Sequence, residues 1–468
     1  MDITGLKIKR LRRALDEKRI GAKELAREYL SRAETQNPEL NAYITITREE
    51  ALKNAERAQE LIDSGGAKPL TGIPAAIKDN IHTEKIRTTC GSKMLEDFIP
   101  PRDAEVIERL KAQGYVLIGK TNMDEFAMGK SNKTSAFGFV RNPRDRDRVP
   151  GGSSGGSASA VASETCAFAL GTDTGASVRQ PASFCGITGL KPSYGVISRR
   201  GVAEFSRSLD VVGPLAKCAE DCGVVMNALS DSGGDYTALI GKSVRGLTAA
   251  LPKELFTDDV NGGVRAAVLN AAKELEKNGV KLIEVSIPSL LYATAAFMII
   301  ACAQAVPALS RFGESKSGLR GEGATPDERV RDSRTRGFGE EVKRRVMLGN
   351  FALSGDDIYL RKALAVRQRL NREFDGVFEK IKSGAIISPT FPCVAYKIDE
   401  NQDLAASYST SMYTAPMNLT GLPCVSVPCG KDKDGLPVGM SITGRKFDEA
   451  VILQIADFCE NGYRSGDK

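Results

Sequence analysis

The sequence predicts an α/β protein, a β-sheet covered by helices, and three observations predict it. Amphipathic helical stretches fill the first part of the chain, short apolar runs then alternate with helical segments, and strand-like runs return after a long helical region. The chain has 468 residues, 41% hydrophobic and 26% charged, which is enough apolar material for a large buried core. No internal repeat, low-complexity tract or linker interrupts it, so residues 1–468 are expected to form a single domain.

Apolar residues return every three or four positions across Ile8–Asp16, Ala22–Thr35 and Arg48–Ile62, the period of helices with one buried face. Gly72–Ile77, Tyr115–Ile118 and Cys166–Leu170 then read as short buried strands, with a helix over Asp103–Gln113 among them. Helical periodicity marks Ala219–Leu229 and Gly263–Asn278, and Val280–Val285 reads as a strand. The region from about Leu290 to Ile381 is read as helical. Strands are predicted at Ala385–Ser388, Val425–Val427 and Gly439–Ile442, and a helix over Asp448–Asn461 closes the chain.

Composition narrows the function classes. Sixty-five Lys and Arg against 59 Asp and Glu leave a net charge of +6, small for so large a surface and no indication of a nucleic-acid face. The basic stretches Arg141–Arg148 and Arg320–Arg345 are diluted by acidic residues and read as solvated faces. Val285–Ser310 carries no charge, but Pro288, Tyr292, Thr294, Gln304 and Pro307 interrupt it. A spanning helix needs about 20 mostly apolar residues, so this segment is read as a buried core helix and no membrane contact is expected.

None of the ten cysteines forms a CxxC pair, and neither Cys218 with Cys222 nor Cys424 with Cys429 has a second ligand pair at zinc spacing. No metal is expected, and the thiols are read as reduced and mostly buried. The N-terminal residues lack an apolar run with a small-residue cleavage site, so a cytoplasmic location is expected. Gly241-Lys242-Ser243 is not read as a phosphate loop, because position 236, where its first glycine belongs, is Tyr236.

Two glycine-rich loops carry the chemistry, one running from Pro150 through Ser153 and Ser154 to Ser157, the other from Gly171 through Ser177 to Arg179. Glycine removes the Cβ and lets amide groups approach a reacting atom. Ser177 is therefore read as a nucleophile, with Thr174, Gly175, Ala176 and Ser177 supplying an oxyanion hole. The single histidine, His82, is the only imidazole around which a Ser-His-Asp triad could be built, and it is read instead as a satisfied polar group. A lysine can serve as base once burial disfavours its charged form. Lys78, directly after the apolar run Gly72–Ile77, suits that role, and Ser153 is placed between the two as a proton relay. Each piece alone has an ordinary explanation: a flexible turn, a surface ion pair between Lys78 and Asp79, a helix N-cap at Ser177. The combination carries the reading.

At these residues the chain resembles the amidase signature family, whose hallmark is a serine- and glycine-rich loop followed by Gly-Thr-Asp-x-Gly-Gly-Ser-[Ile/Val]-Arg-x-Pro. The resemblance runs from about Pro69 to Ser208. It implies the amidase signature fold, a central mixed β-sheet with helices on both faces, and a Ser-cisSer-Lys triad falling on Ser177, Ser153 and Lys78. Gly119–Gly129, Gly337–Arg345, Tyr413–Leu419, Gly421–Pro423 and Ser426–Gly430 extend it over nearly the whole chain, toward the glutaminase subunits of tRNA-dependent amidotransferases. That likeness implies hydrolysis of glutamine at Ser177 and delivery of ammonia to a partner. The implied partners are the B and C subunits of such an amidotransferase: B uses ATP and magnesium and receives Glu-tRNA(Gln), and the small C braces the pair. No cofactor is implied in this chain. Arg345 is implied to hold the α-carboxylate of glutamine, with Ser131 and Ser411 as further substrate contacts.

Three departures from the family pattern stand out. Ala176 replaces the second glycine of Gly-Gly-Ser; were φ above zero there, alanine would cost about 1 kcal/mol. Ser411 stands where relatives carry an aspartate implied to hold the α-amino group. Phe297–Gly313 differs from the tyrosine-rich stretch usual in these subunits. Two alternatives therefore stay open: a stand-alone amidase using the same triad on another small amide, and a non-catalytic scaffold protein of the assembly.

Overall fold

The computed structural model describes residues 3–313, 318–354, 357–400 and 408–466. Its strands are β1 (Tyr43–Ile46), β2 (Pro74–Lys78), β3 (Val116–Thr121), β4 (Phe168–Asp173), β5 (Thr188–Lys191), β6 (Val211–Ala216), β7 (Thr248–Pro252), β8 (Lys281–Val285), β9 (Gly384–Pro389), β10 (Cys424–Lys431) and β11 (Pro437–Thr443). They form one mixed eleven-stranded sheet in the order β1-β3-β2-β4-β6-β5-β10-β11-β9-β7-β8. The ladders β3-β2-β4 and β9-β7-β8 are parallel, and all others are antiparallel.

Parallel neighbours need a crossover. The helix Glu105–Gln113 lies between β2 and β3, Gly155–Ala162 between β3 and β4, and Gly262–Lys277 between β7 and β8. Strands β2, β3 and β4 are buried along their whole length, which explains their unbroken apolar texture. Because β2 and β4 run side by side in the same direction, with Ile77 opposite Leu170, Lys78 and Thr172 emerge together at one edge. The carboxyl ends of parallel strands are where α/β sheets place their sites.

Most predicted elements lie within a few residues of their expected bounds. The second helix runs on through Pro38 to Leu40 and stops at Asn41, which takes a left-handed conformation. The stretch read as one helical region comprises the helices Leu290–Ser310, Pro326–Gly337, Glu340–Leu353 and Ile358–Ile381. The second of these opens on a capping box between Thr325 and Glu328. Leu290–Ser310 is long and apolar enough to cross a membrane. Here it packs against Glu340–Leu353 and Ile358–Ile381, burying Phe297, Ile300 and Leu309 among others. The ten cysteines are free thiols, eight buried and two half-buried.

Candidate active site

Lys78 ends β2 with no solvent exposure. Its Nζ donates to Ser153 Oγ at 2.7 Å and to Thr172 Oγ1 at 2.9 Å, with Thr172 O at 3.3 Å. Burial is the largest influence on its amine and pulls the pKa down to about 7, against the opposing fields of Asp124, Asp173 and Asp210. Near neutrality a large fraction of Lys78 is thus an uncharged base. Ser153 sits on the first glycine-rich loop, where the Gly152–Ser153 peptide is cis. Gly152 has no room for a side chain: a Cβ would lie 2.1 Å from Asp124 Oδ2 and 2.7 Å from Ser131 N.

The second loop packs onto the first. Ser154 N donates to Ser177 O at 3.1 Å, which places the two serine loops against each other. Ser177 is 5% exposed. Among the described residues no hydrogen bond joins Ser153 Oγ to Ser177 Oγ, so Lys78 and Ser153 are paired while Ser177 is held beside them by its backbone. Asp173 Oδ2 takes the amides of Val178 and Arg179 at 3.0 and 3.4 Å. By contrast, the amides of Gly175, Ala176 and Ser177 donate to no protein group among the described residues, leaving them for a ligand oxygen. Thr174 is oriented by its hydroxyl, which donates to Asp210 at 2.6 Å.

A buried ion pair anchors this loop. Arg179 Nε and Nη2 donate to the two oxygens of Asp173 at 3.0 and 2.9 Å; Nη1 reaches Thr414 O at 2.8 Å, and Nη2 also reaches Asn418 Oδ1 at 2.7 Å. Burial alone would raise the Asp173 pKa, but Arg179 overcomes it and holds the carboxyl down at about 2. Asn418 Nδ2 returns bonds to Asp173 O and Oδ1. The Gly-Thr-Asp and Tyr-Thr-x-Pro-x-Asn segments are thus one structural unit.

Arg345 and Ser131 line a neighbouring cavity of about 440 Å³, together with Lys130, Glu341 and Tyr408, while Ser411 is not among its walls and reaches it only through Lys130. Arg345 Nε donates to Glu341 Oε1 at 2.8 Å, and its guanidinium lies over the rings of Phe205 and Tyr408 at 5.5 and 5.8 Å. Ser411 is buried beside Lys130, whose Nζ donates to Ser411 Oγ at 2.6 Å. Phe205 also lines the cavity that holds Thr172 and Thr174, so Arg345 stands between the two hollows. His82 is half-buried with its ring edge-on to Phe98 at 5.6 Å, and burial together with Lys120 pushes its pKa down to about 4. Among the described residues its ring makes no hydrogen bond to Ser153 or Ser177.

The sequence model of the family described as Amidase matches residues 24–453. The chain belongs to the amidase family. This amidase is 46% identical to the A subunit of the glutamyl-tRNA(Gln) amidotransferase of Caldanaerobacter subterraneus subsp. tengcongensis, over 99% of this chain and 98% of the relative. Among solved structures, the A subunit of the glutamyl-tRNA(Gln) amidotransferase of Thermotoga maritima is similar with a TM-score of 0.78 at 36% identity, covering 97% of this chain and 94% of the other. The native peptide amidase of Stenotrophomonas maltophilia is similar with a TM-score of 0.85 at 27% identity, over 99% and 98%. The eleven-stranded mixed sheet is accordingly the amidase signature fold.

Two departures of this amidase acquire a physical account. Ala176 is not among the residues with positive φ, so the backbone cost considered for alanine there does not arise. The glycine that space demands is Gly175, where a Cβ would come within 2.6 Å of the Phe297 ring. Phe297, from the atypical segment Phe297–Gly313, therefore forms a wall of the turn at Gly175. Sequence reasoning missed Thr172, the second acceptor for Lys78, although it lies inside the Gly-Thr-Asp motif. It also missed Glu341, one helical turn before Arg345 and so legible from helix periodicity, and Lys130, which only the fold brings beside Ser411.

Proposed function

We propose that this amidase is the glutamine-hydrolysing component of a tRNA-dependent amidotransferase, with Ser177 as nucleophile, Ser153 as relay and Lys78 as base. The observation that carries the chemistry is the 2.7 Å contact between the fully buried Lys78 amine and Ser153 Oγ. Neutral Lys78 accepts a proton from Ser153, which takes the one released as Ser177 Oγ attacks the side-chain amide carbon. The amides of Gly175, Ala176 and Ser177 receive the developing oxyanion, with Thr174 oriented beside them by Asp210. The tetrahedral intermediate collapses as the leaving nitrogen is protonated through Ser153, releasing ammonia. Water then hydrolyses the acyl-enzyme by the same relay, freeing glutamate and regenerating Ser177.

Arg345, with Ser131 and Ser411 nearby, orients the substrate carboxylate. The ammonia passes to the B subunit, where ATP and magnesium activate Glu-tRNA(Gln), and the C subunit braces the complex in the cytoplasm. Identity of 46% across the full length supports this reading over a stand-alone amidase, and the intact Lys78–Ser153 pair supports it over a scaffold. The test is glutamate release from glutamine by the purified chain, alone and with the B and C subunits, ATP and Glu-tRNA(Gln). Stimulation by the partners, abolished by Ser177→Ala, is expected. Release that survives Ser177→Ala would remove the assigned nucleophile.

A further inference from the structure

Two stretches of the sequence, Gly119–Gly129 and Gly337–Arg345, meet at a joint that the triad does not use. The joint is the link Gly337-Phe338-Gly339 between the helices Pro326–Gly337 and Glu340–Leu353, and each of its residues is held. Gly337 O lies 3.2 Å from Ser92 Oγ, the Phe338 ring stands edge-on to Phe126 at 5.7 Å, and Gly339 N donates to Glu125 Oε2 at 2.8 Å. Ser92 Oγ donates to the other oxygen of Glu125. The helix Glu340–Leu353 has no capping side chain of its own. Buried Glu125 makes, from another part of the chain, the bond to the N-cap amide that a capping-box glutamate makes from within a helix. A Cβ on Gly339 would lie 2.4 Å from Glu125 Oε2, so the close approach requires the glycine.

On its other side Glu125 is continuous with the serine loops. Asp124 N donates to Ser153 O at 3.3 Å, and the Asp124 carboxylate accepts from Asn132 N and Thr134 Oγ1 at 2.9 and 2.8 Å. Phe126 and Ala127 follow with φ of 48° and 62°, the left-handed region that residues with side chains seldom adopt. Two such residues in succession persist only where surrounding contacts hold them. Here they turn the chain so that Asp124 grips the Ser153 loop while Glu125 and Phe126 grip the helix joint.

We propose that Glu125 is a positioning residue, tying the helix that carries Arg345 to the loop that carries Ser153 and so setting where the substrate carboxylate is held relative to the nucleophile. The inference rests on the reading that Ser177 attacks glutamine and Arg345 holds its carboxylate. Arg345 lies within two turns of Gly339 on this helix, buried, with Nε on Glu341. Packing of the helix against Leu290–Ser310 is apolar and non-directional, so directed bonds at its start fix its rise along the axis. The bond to Gly339 needs an oxygen acceptor and not a charge, so it outlasts protonation of Glu125, whose pKa burial raises to about 7.

The test measures ammonia release from glutamine by the full chain, assembled with its partner subunits, for variants at Glu125 and Arg345. Glu125→Ala is expected to raise KM by about tenfold with kcat within about twofold of wild type. Glu125→Gln, which keeps an oxygen for Gly339 N, is expected to stay within about twofold of wild type in both. In the Arg345→Ala background the Glu125→Ala change is expected to add nothing further, because it acts through a side chain already removed. If Glu125→Ala does not fold, Glu125→Asp, too short by one methylene to reach Gly339, takes its place with the same expectations. Four results overturn the proposal and leave the reading of the site standing: an unchanged KM in Glu125→Ala, a loss in Glu125→Gln equal to that in Glu125→Ala, a fall in kcat larger than the rise in KM, or a full effect in the Arg345→Ala background. An Arg345→Ala enzyme with unchanged KM for glutamine, or a Ser177→Ala enzyme that still releases ammonia, overturns that reading and the inference with it.

Discussion

The chemical half of the site and its substrate half are built from different material. Lys78, Thr172 and Asp173 lie at the ends of adjacent parallel strands, fully or almost fully buried, and each is bonded to groups within a few residues of another strand end or glycine loop. Lys130, Arg345 and Tyr408 come instead from a loop, a long helix and a short helical stretch, and they surround an open cavity. On the proposed mechanism, the first arrangement fixes proton transfer because the sheet sets its geometry. The second can change its charge pattern by single substitutions without disturbing the sheet. The proposed mechanism therefore makes chemistry and specificity in this amidase separable, and the following measurements can break or sharpen that separation.

The largest effects belong to the strand ends. Ser177→Ala is expected to lower kcat by about 10⁴-fold or more with little change in substrate affinity, measured by single-turnover ammonia release. Lys78→Met should approach the same loss, because members of one proton relay do not contribute additively. Next comes the buried pair beneath the loop. Arg179→Met leaves Asp173 charged and buried, and should cost about 3–5 kcal/mol in denaturant unfolding, together with loss of activity. A chain that keeps its stability after this change would show that Asp173 and Arg179 do not hold the two segments together.

Smaller effects belong to the cavity. Arg345→Ala is expected to raise KM by about 10–100-fold while kcat falls far less, since the contact is made equally in the ground and transition states. An equal fall in kcat would instead tie Arg345 to the reacting centre and break the separation. At the low end, Ala176→Gly should change kcat/KM by about twofold or less, because Ala176 has an ordinary backbone conformation and its amide remains available.

The same division explains what was legible in the sequence. The Lys78–Ser153 contact could be anticipated because glycines crowded around serines, a lone histidine and a lysine closing an apolar run leave few ways to activate a hydroxyl. Strands β1, β5, β6 and β7 were not anticipated, and β5 and β6 show why. Thr188–Lys191 contains Gly189, and Val211–Ala216 contains Gly213 and Pro214, residues that argue against a strand until neighbouring β4 and β10 supply the pairing. The breaks within residues 290–381 were marked in the sequence by Gly313, Gly318, Gly321, Gly323 and Gly339, glycines that interrupt helical periodicity. Lys130 lay just beyond a recognised stretch, yet its partner Ser411 is 281 positions away, and only the folded chain brings them together.

The central claim is that a buried, neutral Lys78 is the base. A protonated Lys78 cannot accept the relay proton, so activity must rise as pH climbs through its pKa of about 7 and level off above it. The direct measurement is the pH profile of kcat/KM for ammonia release between about pH 5 and 9, made in the Lys130→Gln background so that Lys130, which also titrates at about 7, is removed. The account predicts a single rising limb centred near pH 7 that persists in that background. A flat profile through neutrality, or a limb displaced to the ordinary lysine range near 10, would contradict it.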